Sequence, residues 1–286
     1  MRAAKNKAQR RLFDTLEALL AATPVEARIA TDPLRFPRRY REARDVEVAA
    51  FIAAGLAFGR VSAFGPILEK ILGAAEGFGG PAEFATTLDA RGERALAGIY
   101  YRWHPNPDIV GLVRLAGRAV NTRGNIGAFF EPGPMLGSLG NAIDALRLLV
   151  PPDVSPHFRT FLTHPEDGSA CKRWCMLTRW MVRTGSPDLG LWTHLSPSDL
   201  VIPVDTHVFR VARFLGLTRR NAANWTTAEQ ITAALAELSP ADPVRYDFAL
   251  AHLGISGDCR GHRDIAICPG CPLDSVCQAP ERAKSG

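Results

Sequence analysis

The sequence predicts an all-α protein, because apolar residues recur at helical spacing along almost the whole chain. No sustained stretch alternates apolar and polar residues in the manner of a half-buried strand. Helix start and stop signals separate the periodic stretches, with acidic or hydroxyl residues before them and glycines after them. With 286 residues, 47% of them hydrophobic, the chain can bury a large core.

The first strongly apolar helix follows Asp45, in the segment EVAAFIAAGLAFGRV, whose first turn is acidic. The segment SAFGPILEKILGAA continues the same periodicity as a second helix. The loops GFGGPAEF, HPNPD and PGPMLG are short, and no internal repeat or long linker divides the chain. These features predict one compact helical body, with two helical lobes as the alternative.

The later helices have clearer start signals. Asp205 is predicted to be the N-cap of the helix THVFRVARFLGL, which ends at Gly216. Thr226 and Glu229 form a capping box before QITAALAEL. Asp242 is followed by Pro243, and this pair predicts the start of the helix VRYDFALAHLGI. These starts and stops are mutually consistent with an all-α fold.

Charge and composition divide the chain into three predicted segments: a basic N-terminal helical segment 1–44, a helical domain 45–258, and a cysteine-bearing loop and tail 259–286. Residues 1–45 contain eleven Lys/Arg and six Asp/Glu, an excess of five that equals the excess of the whole chain, 34 − 29. A basic segment on a protein of pI 9.0 favours a polyanionic partner such as nucleic acid. A solvated helix face is the alternative.

The start of the chain does not resemble a secretory signal. Asp14 and Glu17 interrupt its apolar stripe, and no small-residue cleavage site follows. No apolar run approaches the roughly 18 residues of a membrane span. We therefore expect a cytoplasmic protein without a membrane partner.

Four of the six cysteines lie close together in the last part of the chain. Cys259, Cys268, Cys271 and Cys277 have the spacing C-x8-C-x2-C-x5-C. Metal ligation explains this pattern better than disulfides, since the chain is neither small nor predicted to be secreted. Four thiolates suit either a tetrahedral zinc ion or a 4Fe–4S cluster.

The segment around CPGCPLDSVC resembles the iron–sulfur loop of the endonuclease III and adenine glycosylase branch of the helix-hairpin-helix DNA glycosylase superfamily. This resemblance implies a 4Fe–4S cluster on the four cysteines, with zinc as the alternative. The loop of that branch has six residues between its first two cysteines, whereas this chain has eight. Cys259 is therefore the ligand that departs from the pattern.

The segment VDTHVFR, upstream of the cysteines, resembles the superfamily segment whose aspartate stands beside the sugar of the excised nucleotide. The resemblance assigns this catalytic carboxylate to Asp205. Breaking the base–sugar bond builds positive charge on the sugar, which a fixed carboxylate stabilises. From the residues alone, a simple N-cap is the alternative.

The endonuclease III branch places a nucleophilic lysine about eighteen residues before this aspartate, where the present chain has Pro187. The nearest upstream lysine is Lys172, and this longer spacing resembles the archaeal 8-oxoguanine glycosylase branch. Lys172 is predicted to open a helix whose apolar side contains Trp174, Leu177 and Met181. The resemblance therefore implies that Lys172 is the nucleophile. A surface lysine is the alternative.

The chain is also similar to a poorly characterised bacterial family of this superfamily, in which a lysine-bearing helix, the Asp-Thr-His-Val segment and YDFALAHLGI recur. This similarity implies a two-lobed helix-hairpin-helix glycosylase fold with a base pocket between the lobes. The segment GLAFGRV corresponds to the superfamily's DNA wedge, which makes Phe58 and Arg60 candidate DNA contacts. Core packing for Phe58 and a plain surface position for Arg60 are the alternatives.

Further contacts are predicted around the same segments. Arg210 and Arg213 lie three residues apart on the helix after Asp205 and are candidates for phosphate contacts. Trp174 and His207 are candidates for the base pocket, with a structural role for each as the alternative. Trp103, Trp180 and Trp192 could also stack on an extruded base, but a core position is the favoured interpretation for each.

Together these inferences predict a monomeric DNA glycosylase with AP lyase activity that acts on double-stranded DNA containing a damaged or modified base. The first alternative is a monofunctional glycosylase that uses water and acts on a bulky modified base, including one from foreign or phage DNA. The second is a non-catalytic DNA-binding protein of the same fold.

Overall fold

The computed structural model describes residues 7–281, and it confirms the predicted all-α class. The described residues form helices and no β-strand, apart from two isolated β-bridges at Tyr101–His104 and Arg263–Glu281. No helix within this range is long and apolar enough to cross a membrane. The α-helices are α1 (Lys7–Ala22), α2 (Val25–Ile29), α3 (Ala43–Leu56), α4 (Val61–Glu76), α5 (Pro81–Thr86), α6 (Ala90–Ala95), α7 (Asn106–Arg123), α8 (Met135–Arg147), α9 (Lys172–Val182), α10 (Thr206–Phe214), α11 (Trp225–Ala236) and α12 (Asp247–Ile255).

The chain divides into two compact units, each built from separate stretches of sequence. Over the described residues, unit 1 comprises residues 7–24, Gly168–Lys172 and residues 200–281. Unit 2 comprises Val25–Asp167 and Arg173–Asp199. Both units are therefore discontinuous in sequence.

This division differs from the predicted one. No unit boundary falls between residues 44 and 45; the chain passes from unit 1 to unit 2 after Pro24 instead. The cysteine loop, residues 259–281, belongs to unit 1 and is no separate segment. Residues 1–6 and 282–286 of the predicted terminal segments lie outside the described residues.

The N-terminal helix belongs to unit 1 because it is bonded to residues near the start of α12. The fully buried Tyr246 donates a hydrogen bond from its hydroxyl to Glu17 Oε1 at 2.7 Å. Arg245 forms an ion pair with the same carboxylate at 3.2 Å. Burial, followed by the bond to Glu17, raises the pKa of Tyr246 well above its usual value. These contacts join residues more than 200 positions apart.

Helix α3 lies at the centre of unit 2, where it packs against α5 and α7. Its buried Glu47 is fully satisfied by donors: the N–H groups of Ile126 and Gly127 donate at 3.0 and 2.8 Å, and the Trp192 indole donates at 2.6 Å. A buried carboxylate with three donors avoids the penalty of an unpaired charge. Glu47 therefore fixes the loop after α7 to the core of unit 2.

Two helices begin at positions other than the predicted ones. Helix α3 begins at Ala43, and the carboxylate of Asp45 accepts the N–H of Ala82 at 2.8 Å at the start of α5. Asp45 thus caps a neighbouring helix and not its own. Helix α12 begins at Asp247, after turns, and not at the predicted Asp242.

The predicted capping box of α11 is also wrong. The N-cap is Asn224, whose side chain accepts the N–H of Thr227 at 3.1 Å. Thr226 and Glu229 therefore both lie inside the helix. Asparagine is as good an N-cap as threonine, and the tertiary contacts decide between two adjacent start signals.

Candidate active site and cysteine-lined cavity

Asp205 is the N-cap of α10, as predicted. Its Oδ1 accepts hydrogen bonds from the N–H groups of His207 and Val208, both at 2.8 Å. The other carboxylate oxygen, Oδ2, has no hydrogen-bond partner in the part of the chain that the structure describes. The side chain is partly exposed. One oxygen therefore fixes the carboxylate while the second is available to another group.

Lys172 is the first residue of α9, which confirms the predicted helix start. It is preceded by Cys171 at φ +46°, one of two non-glycine residues with positive φ among residues 7–281. Such a conformation is uncommon for a residue with a side chain and is held by its surroundings. Here the Cys171 N–H donates to Ser169 Oγ at 3.1 Å. The start of α9 is thus fixed by a tight, strained turn.

Lys172 and Asp205 belong to the same compact unit. The short stretch Gly168–Lys172 is grouped with Leu200–Gly286 by its contacts, although the rest of α9 belongs to unit 2. Lys172 is the first residue of α9, and Asp205 is the N-cap of α10. Both therefore lie at helix N-termini, which carry partial positive charge. An amine and an anchored carboxylate with one available oxygen are the groups that the predicted chemistry requires.

His207 is a packing residue of α10. A Cβ atom added to Gly254 of α12 would overlap the ring and Cβ of His207, so this glycine permits the close approach of the two helices. The ring Nδ1 lies 3.4 Å from Nη2 of Arg210. These contacts favour the structural alternative for His207 over the predicted base pocket.

The two candidate phosphate-binding arginines have different surroundings. Arg210 donates to the carbonyl of Cys259 at 3.2 Å and lies over Gly261, so it joins α10 to the cysteine loop. Arg213 is exposed, and its guanidinium carbon lies 5.8 Å from the centre of the Phe209 ring. Arg213 is therefore the better placed of the two to meet a phosphate.

We expect Gly254→Ala to destabilise the protein by about 1–3 kcal/mol, the usual penalty for overpacking a filled contact. His207 must move, because both its ring and its Cβ occupy the space. Gly73→Ala in α4 is the matched control, since no atom lies within 4 Å of the added carbon. That change should stabilise α4 by up to about 1 kcal/mol. Urea unfolding measures both; equal stabilities of the two variants would contradict the close α10–α12 contact.

The four C-terminal cysteines line one cavity in unit 1. Cys259, Cys268, Cys271 and Cys277 all border a space of about 490 Å³ that opens to solvent. All four are reduced and half-buried. Apolar residues complete the wall, namely Val211, Phe214, Leu253, Ile267, Leu273 and Ala279. The four cysteines all lie within the last 28 residues, and their spacing predicts that they come together.

The electrostatics of the cavity agree with this convergence. Burial raises the pKa of the Cys271 and Cys277 thiols, and neighbouring cysteine thiols add to the shift. The N–H of Asp264 also donates to Sγ of Cys268 at 3.3 Å. No group of three or more His, Cys, Asp or Glu residues within 7–281 has the close geometry of a formed metal site. Four thiols are nevertheless a donor set that zinc and iron–sulfur clusters use.

Unit 2 contains the predicted wedge residues. Arg60 is exposed, and Phe58 is half-buried against Tyr101, with ring centres 4.7 Å apart. Trp174, in contrast, is only 4% exposed and donates from its indole to the carbonyl of Phe161 at 3.1 Å. The structure places Trp174 in the core of unit 2, which corrects its prediction as a base-pocket residue.

The expectation that the other tryptophans lie in the core is wrong for Trp103. Its ring is 47% exposed and stacks on Phe58, with centres 5.2 Å apart and an interplanar angle of 28°. Trp103 and Arg102 occupy the tip of a turn closed by paired backbone hydrogen bonds between Tyr101 and His104, at 3.0 and 2.9 Å. Arg102, at φ +54°, lies 5.7 Å from the Phe58 and Trp103 rings.

The turn is supported from below by a buried polar network. His104 is completely buried, and its Nδ1 lies 2.9 Å from Oδ2 of Asp108 while its Nε2 lies 3.2 Å from Oγ1 of Thr160. Burial, only partly opposed by Asp108, lowers the pKa of His104. A rigid base therefore presents the exposed Trp103–Phe58 stack, which we call the aromatic platform.

The fold and the two sites define a class: a helical protein with a candidate lysine–aspartate pair and a separate cavity lined by four cysteines. The chain belongs to the family described as protein of unknown function (DUF2400), whose family model matches residues 32–256. No curated protein matches the chain. The match includes Lys172 and Asp205 and ends before Cys259, so the cysteine loop lies outside the matched region.

Proposed function

We propose that the protein is a DNA glycosylase with AP lyase activity and the two-lobed helix-hairpin-helix fold of that superfamily. The proposal rests on one observation: Lys172 starts α9, Asp205 caps α10 with one oxygen to spare, and both lie in unit 1. A structural N-cap needs no lysine in the same unit, and a surface lysine needs no strained turn before it. Their joint placement favours a catalytic pair.

In the proposed reaction, the neutral amine of Lys172 attacks C1′ of the deoxyribose. The bond between C1′ and the base breaks, and its electron pair leaves with the base, which takes up a proton. The nitrogen then loses a proton, and the C1′–O4′ bond breaks with its electron pair on O4′, which takes up a proton. A protonated Schiff base between the lysine and C1′ remains. Loss of a proton from C2′ breaks the C3′–O bond and releases the 3′ phosphate. Water finally hydrolyses the Schiff base and regenerates the lysine.

Asp205 acts while the base departs. Positive charge develops on the sugar at that point, and a carboxylate that is already oriented stabilises it without reorganisation. The two hydrogen bonds to Oδ1 supply this orientation, because they hold the carboxylate plane against the start of α10. Oδ2 is then the atom that faces the sugar.

We also propose that Cys259, Cys268, Cys271 and Cys277 hold a 4Fe–4S cluster, with zinc as the alternative metal. All four line one cavity, which supports this assignment for Cys259 despite its longer spacing. When bound, the cluster would cross-link the loop through iron–thiolate bonds and supply no group to the reaction.

Double-stranded DNA is the proposed partner. In unit 2, the aromatic platform offers an exposed ring for stacking on an unstacked base, and the exposed Arg60 and Arg102 suit phosphates. In unit 1, the exposed Arg213 suits a phosphate. Association of these cations with DNA releases counterions, so binding should weaken steeply with salt.

The proposal is tested by incubating purified protein with duplexes that each contain one modified base, with and without borohydride. A glycosylase–lyase becomes covalently attached to its substrate when borohydride reduces the Schiff base. Abasic sites without covalent attachment would indicate hydrolysis by water. Binding to DNA without either product on any duplex would indicate a DNA-binding protein and overturn the proposed activity.

A further inference from the structure

The cysteine loop consists of two parts that must be held together. Cys259 and the eight residues after it form the first part, and Cys268–Cys277 forms the second. Cys259 itself is anchored outside the loop: its N–H donates to the carbonyl of Leu253 at 2.8 Å, and its carbonyl accepts from Arg210 at 3.2 Å. The position of Cys259 relative to the other three cysteines therefore depends on what joins the two parts.

Asp264 folds the first part onto Cys268. Its N–H donates to Cys268 Sγ at 3.3 Å, and its carbonyl accepts the Cys268 N–H at 2.9 Å. Its carboxylate accepts the N–H of Ala266 at 2.9 Å and pairs with Arg260 at 3.1 Å. All of these contacts stay between residues 260 and 268, so they do not reach the second part beyond its first cysteine.

Arg263 makes the long-range connection. Its Nη2 lies 2.8 Å from Oδ1 of Asp274, which stands midway between Cys271 and Cys277. Its N–H also donates to the carbonyl of Pro280 at 2.7 Å. Asp274 borders the cysteine cavity. One arginine thus joins the segment after the first cysteine to the segment before the last.

We propose that the Arg263–Asp274 ion pair is a clamp that positions Cys259 with the other three thiolates and slows the loss of the bound metal. This inference rests on the proposed metal centre. The eight-residue segment between Cys259 and Cys268 has more conformational freedom than a six-residue one, and an ion pair across the loop restricts it. Arg263 and Asp274 are positioning residues and contact no metal.

The ion pair is partly exposed, with 34% and 32% of the two side chains accessible, so it contributes little to folding by itself. Its effect should appear in metal retention, where groups that orient the ligands typically change affinity by about 10- to 100-fold. Arg263→Met and Asp274→Asn should each release metal about tenfold faster to excess EDTA without oxygen. Released iron and zinc are both quantified, and circular dichroism reports the helices.

The charge swap, Arg263→Asp with Asp274→Arg, should restore slow release. If a single variant fails to fold, the charge swap still tests the clamp. In that case the clamp predicts that the double variant folds and retains its metal. Arg260→Met is the matched control, because it removes an ion pair confined to the first part. Release at the wild-type rate from both single variants, or no recovery in the swap, would overturn the clamp.

Metal analysis of the wild-type protein separates this inference from the proposed activity. Wild-type protein without thiolate-bound iron or zinc would overturn the clamp and the metal centre together. The glycosylase proposal would still be decided by borohydride trapping, which measures the lysine and not the cysteines.

Discussion

Lys172→Gln is expected to abolish covalent trapping by borohydride and cleavage of the DNA strand. A Schiff base requires a primary amine, and glutamine keeps the length and polarity of the side chain without one. The amine must be neutral to attack. Trapped adduct is measured by gel electrophoresis, and DNA affinity is measured in parallel. Affinity should change little, since one charge among many contacts is removed.

Lys70→Gln is the matched control. The chain contains only five lysines, at positions 5, 7, 70, 172 and 284, and Lys70 is an exposed residue of α4 in unit 2. The control should trap as the wild-type protein does. If Lys172→Gln still traps on substrate DNA, the nucleophile is a different amine and the assignment to α9 is wrong.

Asp205→Asn should slow base release by about 100- to 1000-fold, the usual effect of removing one preorganised group that stabilises transition-state charge. Asparagine keeps a side-chain oxygen that can accept the N–H groups of His207 and Val208, so α10 keeps its cap. The negative charge is lost. Base release is measured as abasic sites formed in single-turnover experiments, with unfolding by urea as the check on stability.

Asp89→Asn supplies the comparison. Asp89 caps α6 in unit 2 in the same way, and its Oδ1 accepts the N–H groups of Arg91 and Gly92, both at 2.9 Å. The same substitution at this cap should leave base release unchanged. Similar losses in the two variants would mean that Asp205 contributes only as a cap.

The elements with strong local signals could be predicted from the sequence. The start of α9 at Lys172 and the cap of α10 at Asp205 are confirmed, because each depends on a few neighbouring residues. Asp45 shows what local signals could not predict. Its carboxylate caps α5, 37 residues away, and local periodicity has no information about a partner at that distance.

The candidate site was likewise predictable where the chemistry follows from spacing. The four cysteines that the spacing assigns to one metal site line one cavity, and metal binding there stays a prediction. The sequence could not show which of the tryptophans is exposed, because it is the turn at Tyr101–His104 that places Trp103 outward. Trp174 was wrong for the converse reason: helical position alone did not show that α9 buries this face completely.

The bond between Tyr246 and Glu17 has a consequence for the order in which the protein folds during synthesis. Unit 2 is complete once residue 199 has left the ribosome, and domains generally fold as units while the chain emerges. Helix α1 is made first, yet its hydrogen-bond partners Glu237, Arg245 and Tyr246 are made last. The first helix of the chain therefore remains without these partners through most of translation.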